Sequence, residues 1–282
     1  MVPDIRFREG TIIDNHVHIS DIPDPAWNAP PFLAEQLLRL MDGPYMVAGE
    51  ARHVGIAVAQ PGPGISIKPG WDHQQIHEYI VKAVRQFPDR IIGCMMINPH
   101  LGLEQAFAEL EHLVKDEGFR MIKMHPTFHH YWPNKSKHLT YPIMEQARRL
   151  GIPVMIHTGD PPFSVPALTA PLAEAFRDVN IILAHFGTQK TGYADDAVEV
   201  ARKQDNVFLG TDWGHLMRIK EGIQTLGPSK LVFGTDGPIT EIGMGLRAIE
   251  VCCWQPPIGI NMPESDRERI FGGNMAELLG LT

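Results

Sequence analysis

Residues 11–19 read TIIDNHVHI, an apolar lead that runs into a His-x-His pair. Side chains alternate along an extended strand, so this reading puts Asp14, His16 and His18 on one face and Asn15, Val17 and Ile19 on the other. Two imidazoles then leave the strand end together, prealigned to grip a divalent cation. An isolated pair of this kind is more often structural, so its meaning depends on the rest of the chain.

Similar runs recur seven times: HVGIAVA at 53–59, RIIGCMMI at 90–97, FRMIKMH at 119–125, IPVMIHT at 152–158, NIILAH at 180–185, NVFLGT at 206–211 and KLVFGTD at 230–236. Between them lie segments such as HQQIHEYIVKAVRQF and LEQAFAELEHLVKDEG, whose apolar residues return every three or four positions, as on one face of a helix. Proline and glycine are scattered as single turns and no linker interrupts the alternation. Eight strand–helix units in 282 residues predict an α/β fold, a (β/α)₈ TIM barrel that occupies residues 1–282 as a single domain. In such a barrel the chemistry sits at the carboxyl ends of the strands. Residues 20–52 and 126–140 follow such ends and are the candidate substrate loops.

Composition narrows the partners. A hydrophobic fraction of 44% with 21% charged residues is that of a packed globular protein. The net charge of −8 leaves no footprint for nucleic acid or an anionic membrane, so the expected partner is a small-molecule substrate. The opening MVPDIRFREG has no apolar run behind it, and no stretch approaches the roughly 18 apolar residues that span a bilayer. Cys94, Cys252 and Cys253 make no disulfide framework. A cytoplasmic protein is expected.

Single polar residues close several of the apolar runs: His157 after PVMI, His185 after IILA and Asp236 after VFGT. A buried imidazole or carboxylate is costly without a partner, and one shared metal would satisfy them together. Lys123 and His125 alternate inward with Met121 on the fourth strand. His125 reads as a pocket residue, and Lys123 as either a paired core lysine or a substrate contact. In FHHYWP, 128–133, Tyr131 and Trp132 line the substrate mouth or pack as a surface loop. Asp212 and Trp213, just past the seventh strand, are placed to touch substrate, although Asp212 equally suits the N-cap of the next helix. Lys68, Lys135, Lys137 and Lys190 lie near the same loops and suit an anion.

The strings IDNHVH, IKMHP, GIPVMIHTGD, ILAHFG, VFGTDGP and the closing IFGGNMAELLGL, in that order, resemble the amidohydrolase superfamily in its amidohydrolase-2 branch, related to aminocarboxymuconate semialdehyde decarboxylase. The resemblance implies that His16, His18, His157 and Asp236 hold one divalent metal, most often zinc, with manganese or another divalent ion as alternatives. It implies catalytic roles for Asp236, as acceptor of a water's proton, and for His185, which polarises a carbonyl or serves as a second base. A carboxylated lysine bridging two metals is a superfamily device, but the KMHP context resembles the one-metal branch. The expected activity is hydrolysis of a small amide, lactone or related carbonyl compound by metal-activated water. The alternatives are non-oxidative decarboxylation of an unsaturated or aromatic acid, a metal-free lactonase and a non-catalytic binding protein. Relatives in this branch are frequently homodimers, though nothing in the sequence marks an interface.

Overall fold

The computed structural model describes residues 5–187 and 192–281; Lys190 lies outside them. In chain order the strands are β1 (Ile12–His18), β2 (Tyr45–Val47), β3 (Glu50–Arg52), β4 (Val54–Gln60), β5 (Ile91–Ile97), β6 (Phe119–Met124), β7 (Val154–Ile156), β8 (Ile181–Leu183), β9 (Val207–Gly210) and β10 (Leu231–Val232). β2 and β3 form a small antiparallel hairpin. The other eight pair in parallel in the order β1-β4-β5-β6-β7-β8-β9-β10, and helices fill most of the crossovers. Bonds from Asn15 N to Phe233 O (3.0 Å), from Asp236 N to His16 O (2.8 Å) and from His18 N to Gly237 O (2.7 Å) bring the last strand back to the first. The TIM barrel expected from the alternation is therefore the fold.

The two faces of the strands have separate jobs. Ile13, Val58, Ile92, Cys94, Met121, Met155 and Ile182 fill the barrel interior, closed below by Ile5, Met275 and Leu279. The opposite faces, including Ile12, Ala57, Phe119, Val154 and Leu209, pack under the helices. The amphipathic segments become helices at His73–Gln86 and Leu103–Asp116, the first capped by Asp72, which accepts from Gln75 N at 2.9 Å. Among the described residues no helix is long and apolar enough to cross a membrane.

Strict alternation fails on β1. Ile12 and Val17, which alternation would put on opposite faces, both pack outside, and the ladder to β4 shifts register between Asp14 and Val17. Asp14 is thereby turned toward β10, where it accepts from Thr235 N (3.0 Å) and Thr235 Oγ1 (2.6 Å). Strands β7, β8 and β10 are also shorter than their apolar runs. The residues after them leave the ladder: His185 has φ 66°, Phe186 φ 51° and Asp236 φ 61°. Trp213, after β9, has φ 57°. Left-handed backbone costs a non-glycine residue about 1–3 kcal/mol, and such strain gathers where side chains must be aimed.

Candidate active site

The polar residues expected at the strand ends meet at the carboxyl end of the barrel, and nearly all are buried. His16 and His18 come from β1. Each has its Nδ1 tied down: His18 Nδ1 donates to Pro61 O at 2.8 Å, and His16 Nδ1 lies 3.1 Å from Asp212 Oδ2. A carbonyl and a carboxylate only accept, so both rings carry the proton on Nδ1 and present the Nε2 lone pair inward. His16 Nε2 receives Lys123 Nζ at 3.0 Å, and Gln60 Nε2 lies 3.4 Å from His18 Nε2.

Asp236 completes the convergence. Its Oδ1 lies 3.3 Å from His16 Nε2 and 3.1 Å from His18 Nε2, yet makes no hydrogen bond among the described residues. Two lone pairs and an unpartnered buried carboxylate oxygen aimed at one point fit a divalent cation, which would satisfy all three. His16, His18 and Asp236 offer ligand atoms that lie within 4.8 Å of one another, as do His16, His185 and Asp212.

His157 stands apart from that first trio. Its Nε2 is 2.8 Å from Asp160 Oδ2 and its Nδ1 is 2.9 Å from His185 Nε2, so both nitrogens are engaged. Its ring stacks on His125 at 3.8 Å between centroids. The fourth ligand that the resemblance implies thus sits beside the cluster, in contact with the candidate catalytic histidine. His125 is buried against His157 and accepts from Phe128 N at 3.3 Å.

Burial sets the charge state of the cluster. Loss of solvent, helped by the nearby Lys123 ammonium, takes the His16 pKa down to about 3, which keeps the imidazole neutral and ready to ligate. Burial also lowers Lys123 to about 8 against the pull of Asp236 and Asp212. Burial alone would raise Asp236, but His16, His18 and His185 outweigh it and hold the carboxyl below the usual range. Asp14, outside the cluster, is pushed up to about 7 by burial against its Thr235 bonds.

Two expectations need correction. Asp212 is not the helix cap: the helix Leu216–Leu226 begins after His215, whose ring accepts from Met217 N, while Asp212 is buried among the site histidines. Tyr131 is also buried, packed into the core under the loop, with its hydroxyl unpartnered among the described residues. Trp132 remains half-buried, against Phe163 at 4.9 Å. Lys68, Lys135 and Lys137 lie over the rings of Trp71, Trp132 and Tyr141.

The sequence reading named Trp213 as a substrate contact but not its bond to Asp236, and it passed over Trp27. Trp213 donates its indole N–H to Asp236 Oδ2 at 2.6 Å. Trp27 stands edge-on to His18 at 5.1 Å. The Trp27 loop is pinned by Asp24, whose carboxylate accepts from Ala26 N (2.7 Å) and Gly64 N (3.2 Å). Gly62 makes room for this pin, because a Cβ there would fall 1.8 Å from Asp24 Oδ2. Nothing in the spacing of residues 20–32 announces such a contact across the barrel mouth, and only the Trp and Pro content of that stretch hints at a wall. Beside His18 the loop forms an open recess, lined mainly by Ile19, Ile22, Trp27, Phe32, Ile65 and Pro238.

A family profile described as Amidohydrolase matches residues 13–281, and the chain belongs to that family, in its amidohydrolase-2 branch. No curated protein matches by sequence. Solved structures with the same fold include 2,6-dihydroxybenzoate decarboxylase from Rhizobium, 15% identical with a TM-score of 0.68 over 96% of this chain and 99% of that one. A dihydroxybenzoic acid decarboxylase from Polaromonas, with bound manganese and 2-nitroresorcinol, is 18% identical with a TM-score of 0.66 over 96% and 97%. A 5-carboxyvanillate decarboxylase from Novosphingobium aromaticivorans, in complex with manganese and a nitrobenzoic acid, is 15% identical with a TM-score of 0.69 over 99% of each chain.

Proposed function

We propose that this protein is a metal-dependent decarboxylase that acts on a one-ring aromatic or comparably unsaturated carboxylic acid. The observation that carries the reading is the apolar recess beside His18, directly next to the point on which His16 Nε2, His18 Nε2 and Asp236 Oδ1 converge. An acid with a flat apolar body fits that pairing, with its anionic group at the cationic site and its ring against Trp27 and Phe32. The decarboxylases that share the fold, two of them described with manganese, support the same choice of chemistry and of metal.

His16, His18 and Asp236 would hold the metal, zinc or manganese, with His157 at hand beside them. When bound, the ion would supply a Lewis acid for the substrate's anionic group. The chain supplies the rest. Decarboxylation breaks the bond between the ring carbon and the carboxyl carbon, releases carbon dioxide and puts a proton on the ring carbon. Asp236 and His185, with Nδ1 of the histidine 3.9 Å from Asp236 Oδ2, are the groups that would carry this proton. Trp213 fixes the carboxyl by its indole N–H.

Hydrolysis is the second reading. The family description favours it, and Asp236 is equally placed to accept a proton from water. A panel of hydroxylated benzoic acids, lactones and amides separates the two. In heavy water, decarboxylation yields carbon dioxide and a product with deuterium on the ring carbon. Release of an acid from a lactone or amide, with no carbon dioxide from any benzoate, would replace decarboxylation with hydrolysis. Exhaustive chelation should abolish turnover and added Mn²⁺ or Zn²⁺ should restore it; full activity in protein shown metal-free by elemental analysis would eliminate the metal.

Trp27→Ala opens the recess and removes the edge contact with His18 while keeping all three convergent side chains. It should raise KM about tenfold, equivalent to ~1.4 kcal/mol of ring contact, with a smaller change in kcat. An unchanged KM would show that the ring lies elsewhere.

A further inference from the structure

We infer that Asp212 is a positioning residue: one buried carboxylate oxygen fixes the ring orientation and proton position of His16 and holds His185 beside it through the backbone N–H. Asp212 Oδ2 lies 3.1 Å from His16 Nδ1 and 2.7 Å from His185 Nδ1, and accepts the backbone N–H of His185 at 2.8 Å. The three residues come from three parts of the barrel: His16 from β1, His185 from the turn after β8 and Asp212 from the turn after β9. One atom therefore joins a candidate metal ligand to a candidate acid/base residue across the barrel mouth.

The site is built for that carboxylate. The side chains of His16 and Asp212 are fully shielded from solvent, so water does not compete for the shared oxygen. Gly210 leaves the space that the carboxylate fills, since a Cβ there would fall 2.5 Å from Asp212 Oδ1. The bond to His185 N also ties down a residue whose backbone is left-handed, at φ 66°. A carboxylate can only accept, so it selects the Nδ1–H form of His16 and leaves the Nε2 lone pair for the inward side. It turns the Nδ1 side of His185 toward itself and the Nε2 side toward His157.

This inference rests on the metal reading for its affinity arm only. The first measurement uses the full-length, metal-free protein with ¹⁵N-labelled histidine and reads the protonated ring nitrogens by long-range ¹H–¹⁵N correlation. Wild type should show His16 protonated on Nδ1; His16 protonated on Nε2 alone would overturn the inference. In Asp212→Ala the Nδ1–H preference of His16 should be lost, and affinity for Mn²⁺ alone should fall about 10–100-fold. Asp212→Asn, which keeps an acceptor oxygen, should recover the Nδ1–H signature and part of the affinity. A folded Asp212→Ala protein with the His16 tautomer and Mn²⁺ affinity unchanged overturns the inference. Should the alanine variant fail to fold, the wild-type and asparagine spectra still decide. A wild type that binds no Mn²⁺ or Zn²⁺ refutes the metal reading and leaves the tautomer result standing.

Discussion

Asp236→Asn is expected to leave the barrel folded and to lower turnover by about 10²–10⁴-fold, the range for loss of a positioned acid/base group. The substitution keeps the shape of the side chain and removes its charge. In the native site that charge faces His16 Nε2 and His18 Nε2 at 3.3 and 3.1 Å and is held at its other oxygen by Trp213. An amide in the same place offers a weaker ligand atom, so bound metal measured by elemental analysis should fall along with kcat. The control is the unfolding midpoint. The neighbours that hold the Asp236 carboxyl below its usual range outweigh its desolvation, so the charged form stabilises the fold and its removal should lower the midpoint modestly in metal-free protein while the barrel stays folded. Wild-type turnover and metal content in Asp236→Asn would remove Asp236 from the centre of the site.

Phe119→Ala should cost about 3–5 kcal/mol of folding stability, the largest effect expected from a single substitution away from the site. Phe119 is fully buried on the outer face of β6 and lies against Gly93 of β5. The fit is close: a Cβ on Gly93 would fall 2.3 Å from the Phe119 ring. Gly93→Ala alone should therefore destabilise by about 1–3 kcal/mol through overpacking. In the Phe119→Ala background that penalty should largely vanish, because the ring it strikes is gone. Urea unfolding of the four proteins measures the coupling. Strictly additive effects would show that Gly93 and Phe119 do not share a packing site.

The strands were legible because β-branched and apolar runs of the right length recur between amphipathic segments, and that period depends only on local sequence. Their ends were less so. The run at 230–236 reads as one strand, whereas β10 is Leu231–Val232 and Asp236 has already turned to φ 61°. Alternation on TIIDNHVHI grouped Asp14 with His16 and His18, but a register shift against β4 turned Asp14 to Thr235. A shift of that kind depends on the neighbouring strand, which local periodicity does not contain.

The same boundary runs through the site. The sequence by itself determined the barrel, the end of it that carries the chemistry, and the arrival there of His16, His18, His157, His185 and Asp236, because residue type and strand period are local properties. Tertiary structure alone decided which of them converge. It drew His16, His18 and Asp236 to one point, engaged both nitrogens of His157 elsewhere, and turned Asp212 from a supposed cap into the neighbour of two histidines. It also brought Trp27 from a loop without periodicity to the edge of His18. The physical reason is that a contact between residues distant in the chain is set by how strands close and loops fold back, and the period of a single segment does not encode either.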